Sequence, residues 1–289
     1  MPASRGGLAP GPGMDQSQLT AYLDGALDSS AWPALKPSVD TVLADSRPDE
    51  DSAGCGRTDL AAPDCSWDSG KQRTVVVLGD STGITLLPTV RAALGDTYNV
   101  RGMTMAGCAP VDVQVKADKP QFAADCAQFK ADSMRAINDL KPAMVLISST
   151  PEILAHLVSE TPEDQAGPEW RQGTVTMLRS LQPSGARLLV VTAPPLGKPP
   201  VVCATRFSQP SDCEYTPPQS HVVTAQAMRE AAVAEGAGSI DTQAWFCSAG
   251  RCPAFIGETP LKRDGVHTTR QYAVLLAGVL RDAVTATRQ

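Results

Sequence analysis

The sequence predicts a three-layer α/β/α fold with a mostly parallel sheet, and three observations lead to this class. From residue 74 onward, short runs of β-branched residues alternate with longer amphipathic segments, which is the pattern of βα units. The chain has 289 residues, 42% of them hydrophobic, and can therefore fill a sizeable core. It shows no internal repeat.

The β-branched runs predict four strands and a weaker fifth. The strands are residues 74–78, 98–103, 143–148 and 187–192, with the weaker one at 239–240. The amphipathic segments predict helices over residues 84–94, 121–140, 170–181, 222–235 and 270–287. The apolar residues of the last helix lie on one stripe, which is typical of packing against a core.

The first 73 residues differ from the rest because they are rich in Pro, Gly and Asp. Apolar periodicity is confined to residues 19–27 and 39–43. We therefore divide the chain into a partly helical linker or N-terminal extension, residues 1–73, and a catalytic domain, residues 74–289. The start lacks the apolar stretch of a signal peptide, so we expect the chain to be the truncated part of a longer protein.

Charge and hydropathy exclude two classes of function. The chain carries 25 Lys plus Arg against 31 Asp plus Glu, for a net charge of −6, and has no basic run. This balance disfavours nucleic-acid binding. The longest apolar runs, residues 143–147 and 273–280, are far shorter than the ~20 residues of a membrane-spanning helix. We expect a monomer.

The eight cysteines form four sequential pairs, each separated by a short loop-like stretch. Of the 105 possible connectivities, the most compact joins nearest neighbours: Cys55–Cys65, Cys108–Cys126, Cys203–Cys213 and Cys247–Cys252. This predicts an oxidising compartment, with buried free thiols as the alternative. There is no C-x-x-C, and neither His156 nor His221 has a second ligand at metal spacing, so we expect no metal and no cofactor.

Two long Pro-rich connections, residues 193–220 and 242–262, each contain one cysteine pair. Loops at the carboxyl ends of parallel strands commonly bind ligands, so these loops are candidate walls of a pocket. The alternative is that they only decorate the surface.

The first chemical motif, Gly79-Asp80-Ser81-Thr82, follows the first predicted strand and precedes a helix. A strand-to-helix turn of this kind presents a serine hydroxyl above the sheet edge, where the N–H groups that open the helix help to stabilise an oxyanion. An ordinary capped turn is the simpler interpretation.

The second motif is Asp264-Gly-Val-His267, just before the final helix. On a tight turn the carboxylate fixes the imidazole tautomer, while the other ring nitrogen takes the serine proton. Taken alone, it is more simply a helix start, with Asp264 as N-cap and His267 solvated or hydrogen-bonded in the core. Together, the two motifs occupy both ends of one βα array, which favours a serine hydrolase site.

On these two motifs the sequence resembles the SGNH (GDSL-type) serine hydrolases over roughly residues 74–287. It is most similar to the extracytoplasmic SGNH domain at the C-terminus of acyltransferase-3 membrane proteins. The supporting segments are Cys65-Ser-Trp-Asp, Lys71-Gln-Arg-Thr-Val-Val-Val-Leu-Gly-Asp-Ser81, Leu87-Pro88, Gly107-Cys108-Ala-Pro110 and Pro142-Ala-Met-Val-Leu-Ile147. The resemblance implies a fused upstream transmembrane acyltransferase domain, which would tether this chain to the membrane outside the cytoplasm, in the periplasm or cell envelope.

Carried over by residue, the resemblance implies Ser81 as nucleophile, His267 as general base and Asp264 as the residue that orients it. The oxyanion donors would be the Ser81 backbone N–H and Gly107, with Gly102 as a competitor. The asparagine of the family's third block is absent, because the chain reads Ser148-Ser-Thr-Pro-Glu152. A hydroxyl of Ser149 or Thr150 would serve in its place, or no side chain at all. Thr82 is a second departure, since the fused domains often carry His there.

The resulting hypothesis is an O-acyltransferase or esterase that moves a short acyl group on or off hydroxyls of a glycan or glycolipid through acyl-Ser81. A second hypothesis is a catalytically silent domain that binds glycan and presents it to the membrane partner. A third is a free-standing secreted lipase or esterase.

Overall fold

The computed structural model describes residues 10–44, 50, 53–56, 65–116 and 119–287. Its central feature is a six-stranded sheet of order β1-β3-β2-β4-β5-β6, in which β1 alone runs antiparallel. The strands are β1 (Cys65–Trp67), β2 (Thr74–Gly79), β3 (Asn99–Thr104), β4 (Met144–Ser148), β5 (Arg187–Val191) and β6 (Gly238–Ile240); a small hairpin adds β7 (Phe255–Ile256) and β8 (Thr259–Pro260). The predicted mostly parallel α/β fold and its five predicted strands are confirmed.

Ten α-helices surround the sheet in the described part of the chain. They are α1 (Gln16–Leu27), α2 (Val39–Val42), α3 (Ser81–Leu94), α4 (Pro120–Leu140), α5 (Gly167–Leu181), α6 (Pro200–Cys203), α7 (Gln219–Ala234), α8 (Gln243–Phe246), α9 (Arg270–Leu275) and α10 (Ala277–Ala286). Alternate residues of β2 enter two core clusters, which places Val75 and Val77 in one and Val76 and Leu78 in the other. Both faces of the sheet are therefore covered, as a continuous apolar strand requires.

One predicted helix is divided in two. The stripe over residues 270–287 predicted a single helix, but α9 ends at Leu275 and α10 begins at Ala277. The hydroxyl of Thr89 in α3 donates a hydrogen bond of 2.7 Å to the carbonyl oxygen of Ala273. A continuous helix would pair that carbonyl with the N–H of Ala277. The tertiary contact thus competes with the helical hydrogen bond at the break.

Part of the predicted N-terminal extension joins the fold. Strand β1 pairs with β3, and Leu19 and Leu23 of α1 are buried in the core that also contains Val75 and Val77. The division of the chain at residue 74 stays a prediction, although the sheet takes one strand from the N-terminal side of it.

Four disulfides join the eight cysteines, and the nearest-neighbour pairing is confirmed. The pairs are Cys55–Cys65, Cys108–Cys126, Cys203–Cys213 and Cys247–Cys252. Among the described residues, no helix has both the length and the apolar character needed to cross a membrane.

Candidate active site

The turn between β2 and α3 places Ser81 at the carboxyl edge of the sheet. Ser81 is the first residue of the 14-residue helix α3 and is partly buried. Gly79 is required because a Cβ there would lie 2.6 Å from the carbonyl oxygen of Ser148 and 2.9 Å from Cα of Gly83. The turn therefore passes against β4 at a distance that only glycine permits.

Asp80 is fully buried and accepts four hydrogen bonds. Its Oδ1 accepts from the backbone N–H (2.8 Å) and the hydroxyl (2.7 Å) of Thr82, and its Oδ2 from the hydroxyl of Ser149 (3.0 Å) and the N–H of Thr150 (2.8 Å). Burial raises the pKa of Asp80, and these hydrogen bonds oppose the rise. The carboxyl group thereby ties the Ser81 turn to the loop after β4.

The loop after β3 brings Gly107 to the same edge. The N–H of Met105 donates to the carbonyl of Gly79 (3.1 Å), and the N–H of Cys108 donates back to Met105 (3.0 Å). Gly107 sits in this turn with φ of 77°, a conformation that favours glycine. Gly102 lies within β3, where an added Cβ would collide with Sγ of Cys65. Disulfide packing therefore accounts for that glycine.

Ser81 and Gly107 line one cavity of about 490 Å³, which we call the Ser81 cavity. Its other lining residues come from the loops after β3 and β4 and from α4: Val115, Lys116, Lys119, Phe122, Thr150, Glu152, Ile153 and His156. The two disulfide-containing loops that were expected to wall the pocket supply none of these residues. They instead touch the second motif, since the N–H of Gly197 donates to the carbonyl of Gly265 (2.8 Å).

Asp264 and His267 form a closed turn. The Nδ1 of His267 lies 2.8 Å from Oδ2 of Asp264, while Oδ1 of Asp264 accepts the N–H groups of Val266 (2.8 Å) and His267 (2.7 Å). Burial by itself would raise the pKa of Asp264, but these hydrogen bonds hold it well below its usual range. An ionised Asp264 makes Nδ1 the protonated nitrogen, which leaves Nε2 free to accept a proton.

Lys262 is a buried residue that contacts this turn. It is 4% exposed, its Nζ donates to the carbonyl of Val266 (3.0 Å), and its chain neighbour Arg263 donates from its N–H to the carbonyl of His267 (2.9 Å). Burial lowers the pKa of Lys262 to about 7, against the charges of Asp264 and Glu152, which raise it. Sequence reasoning missed this buried lysine, because an isolated lysine is usually solvated.

The two motifs approach each other through their neighbours. Thr82 and Thr268, which follow Ser81 and His267 directly, line one small buried cavity. Within the described ranges, no hydrogen bond joins Ser81 to His267, and His267 is not a lining residue of the Ser81 cavity. Catalytic hydrogen bonds of unliganded enzymes are often long and tighten when substrate binds.

The position of the missing asparagine is occupied by two hydroxyl residues with different surroundings. Ser149 is buried and donates its hydroxyl to Asp80. Thr150 lines the Ser81 cavity, and its Oγ1 accepts from the N–H of Glu152 at 3.3 Å. Of the two, only Thr150 lines the cavity that Ser81 lines. His156, which received no role from the sequence, also lines the cavity.

No group of three or more His, Cys, Asp or Glu residues that could hold a metal ion occurs in the part of the chain that the structure describes.

Comparison with known families shows to which family the chain belongs. The family model described as "SGNH domain (fused to AT3 domains)" matches residues 48–282, so the chain belongs to that family. Membership supports acyl transfer or ester hydrolysis as its general chemistry. No curated protein matches the chain significantly.

Two solved structures share the fold at low sequence identity. The periplasmic domain of a lipopolysaccharide acetyltransferase from Salmonella ser. Paratyphi A has a TM-score of 0.58 and 13% identity, over 75% of this chain and 85% of that one. A carbohydrate acetylesterase from Sinorhizobium meliloti has a TM-score of 0.50 and 15% identity, over 74% and 99%. At these identities the likeness shows the fold alone.

Proposed function

We propose that this chain is a serine-dependent O-acyltransferase or esterase domain that moves a short acyl group on or off hydroxyls of an extracytoplasmic glycan or glycolipid. One observation carries the proposal. Ser81 and Gly107 line one cavity, and the closed turn of Asp264 and His267 lies at the same end of the sheet. The substrate class rests on the family and on its lipopolysaccharide and carbohydrate neighbours.

In the first half-reaction, Oγ of Ser81 attacks the carbonyl carbon of the donor ester and its proton passes to Nε2 of His267. The backbone N–H groups of Ser81 and Gly107 stabilise the oxyanion. Collapse of this intermediate breaks the ester C–O bond, and the leaving oxygen takes the proton back from His267. Asp264 holds the imidazole and stabilises its charged form. The product is acyl-Ser81 and a free alcohol.

In the second half-reaction, an acceptor hydroxyl or water gives its proton to Nε2 of His267 and attacks the acyl carbon. The bond between Oγ of Ser81 and the acyl carbon then breaks, and Oγ takes the proton back from His267. A sugar hydroxyl completes transfer, and water completes hydrolysis. A fused upstream membrane acyltransferase would supply the acyl group and would hold the domain outside the cytoplasm, where four disulfides persist.

The test is turnover of p-nitrophenyl acetate by the wild-type chain and by Ser81→Ala. Ser69→Ala is the control, because Ser69 is an exposed serine outside the Ser81 cavity. The proposal predicts loss of ester turnover in Ser81→Ala only. Turnover retained by folded Ser81→Ala would refute it.

One observation favours a second function, a catalytically silent domain that binds glycan. No asparagine side chain is present as a third oxyanion donor, and the hydroxyl of Ser149 is directed to Asp80. One lost donor costs about 10²–10³-fold in rate. Calorimetric binding of polysaccharide fragments by Ser81→Ala, with no esterase activity in wild type, would support this function; turnover without glycan binding would exclude it.

A further inference from the structure

A second cavity of about 590 Å³ adjoins the Ser81 cavity. Val115 and Phe122 line both, so the two spaces share a wall. The second cavity lies between α4, α5 and residues 110–115. Each volume is within the range of small-molecule sites.

The second cavity is apolar over most of its surface. Its apolar lining includes Val113, Ala127, Met134, Val158 and Met177. Val158 is 49% exposed and adds apolar surface that a ligand can cover. The one lysine in the wall, Lys130, turns its Nζ to the carbonyls of Val111 (3.3 Å) and Val113 (3.4 Å). Its charge is thereby directed to the backbone.

The chemistry of the site decides which part of an ester reaches this cavity. His267 must return its proton to the leaving oxygen, so the alcohol lies on the side of His267. The Ser81 cavity is lined by Gly107 and Phe122 but not by His267. Phe122 is also the nearest side chain to Gly107, since an added Cβ there would lie 3.3 Å from its Cζ. The substituent that extends past Gly107 is therefore the acyl chain.

We propose that the cavity beyond Phe122 is a subsite for the hydrocarbon chain of the acyl group, which extends the range of donors from acetyl to medium-length chains. This inference rests on the proposed function of Ser81. A chain that crosses from Ser81 past Phe122 replaces water against Val113, Met134 and Met177. Each methylene so buried raises kcat/KM by up to about fourfold.

The test compares p-nitrophenyl hexanoate with p-nitrophenyl acetate in wild type and in Ala127→Trp, which fills the cavity from an exposed position of α4. Ala124→Trp is the matched control, because Ala124 is exposed on the same helix and does not line the cavity. We expect Ala127→Trp to lower the hexanoate-to-acetate ratio of kcat/KM at least tenfold and Ala124→Trp to leave it unchanged. An unchanged ratio in Ala127→Trp, or no preference for hexanoate in wild type, would overturn the proposal.

A binding measurement separates this proposal from the function of Ser81. Decanoate is titrated into Ser81→Ala and into Ser81→Ala combined with Ala127→Trp, and melting curves confirm that both are folded. If the wild type turns over no ester but decanoate binds at least tenfold more weakly to the double variant than to Ser81→Ala, the acyl-chain subsite stands and the proposed catalysis fails. If the wild type turns over esters and decanoate binds both variants equally, the subsite fails and the catalysis stands.

Discussion

Replacing Asp80 with Asn tests whether the buried carboxylate organises the site. The carboxylate accepts a backbone N–H on each oxygen, from Thr82 on one and from Thr150 on the other. An asparagine side chain has one accepting oxygen, so in either orientation its NH₂ group faces one of these N–H donors. The hydroxyls of Thr82 and Ser149 can rotate to accept, but a backbone N–H cannot.

Leaving one buried N–H unpaired costs about 1–3 kcal/mol. With a central value of about 2 kcal/mol, the melting temperature of a chain of this length falls by about 3–4 °C. Urea unfolding followed by circular dichroism measures the loss. Asp68→Asn is the control, because exposed Asp68 accepts only the N–H of Gly70 among the described residues, and an amide oxygen can accept that bond instead. Ester turnover should fall as well, since Ser81 and Thr150 flank the network. Equal unfolding free energies for Asp80→Asn and wild type would refute this reasoning.

Three further predictions concern the neighbouring turns. Asp264→Asn keeps an oxygen for the two backbone N–H groups but offers NH₂ to Nδ1 of His267, so kcat falls about 10²–10⁴-fold; a normal kcat would contradict the assigned tautomer. The pKa of Lys262 in the fold, about 7, lies below that of an unfolded lysine, so the folded state loses its proton first as the pH rises. In urea titrations, the unfolding free energy of the wild type relative to Lys262→Met should therefore increase by about 2–3 kcal/mol from pH 6 to pH 9. A constant difference would show that Lys262 titrates normally. Gly79→Ala forces a Cβ against Ser148 and should destabilise by about 1–3 kcal/mol in the same assay, whereas a neutral effect would place the turn further from β4.

The sequence predicts those parts of the fold that depend on local pattern. The apolar run in β2 predicts a strand correctly because parallel strands are buried on both faces and are therefore apolar along their whole length. Ser81 and His267 could be singled out because their motifs lie at the two ends of one βα array, whereas Gly107 was implied only by the resemblance to the SGNH family. Their catalytic roles stay predictions until activity is measured.

What the sequence does not show depends on register and on distant contacts. The hydrogen bonds of Asp80 to Ser149 and Thr150 exist because Gly79 pairs with Ser148 across β2 and β4. The break between α9 and α10 coincides with a hydroxyl from α3, far away along the chain. The cavity beyond Phe122 is formed by residues 110–115, α4, α5 and Val158, and their meeting depends on the tertiary fold.

The most direct test of the central claim is covalent labelling of the wild-type chain with a fluorophosphonate, followed by mass mapping of the labelled peptide. The reagent reacts only with an activated serine, so we expect a single label on Ser81 that His267→Ala abolishes. Folded wild type that takes no label, or a label on Ser81 that persists in His267→Ala, would contradict the assignment of Ser81 as a nucleophile activated by His267.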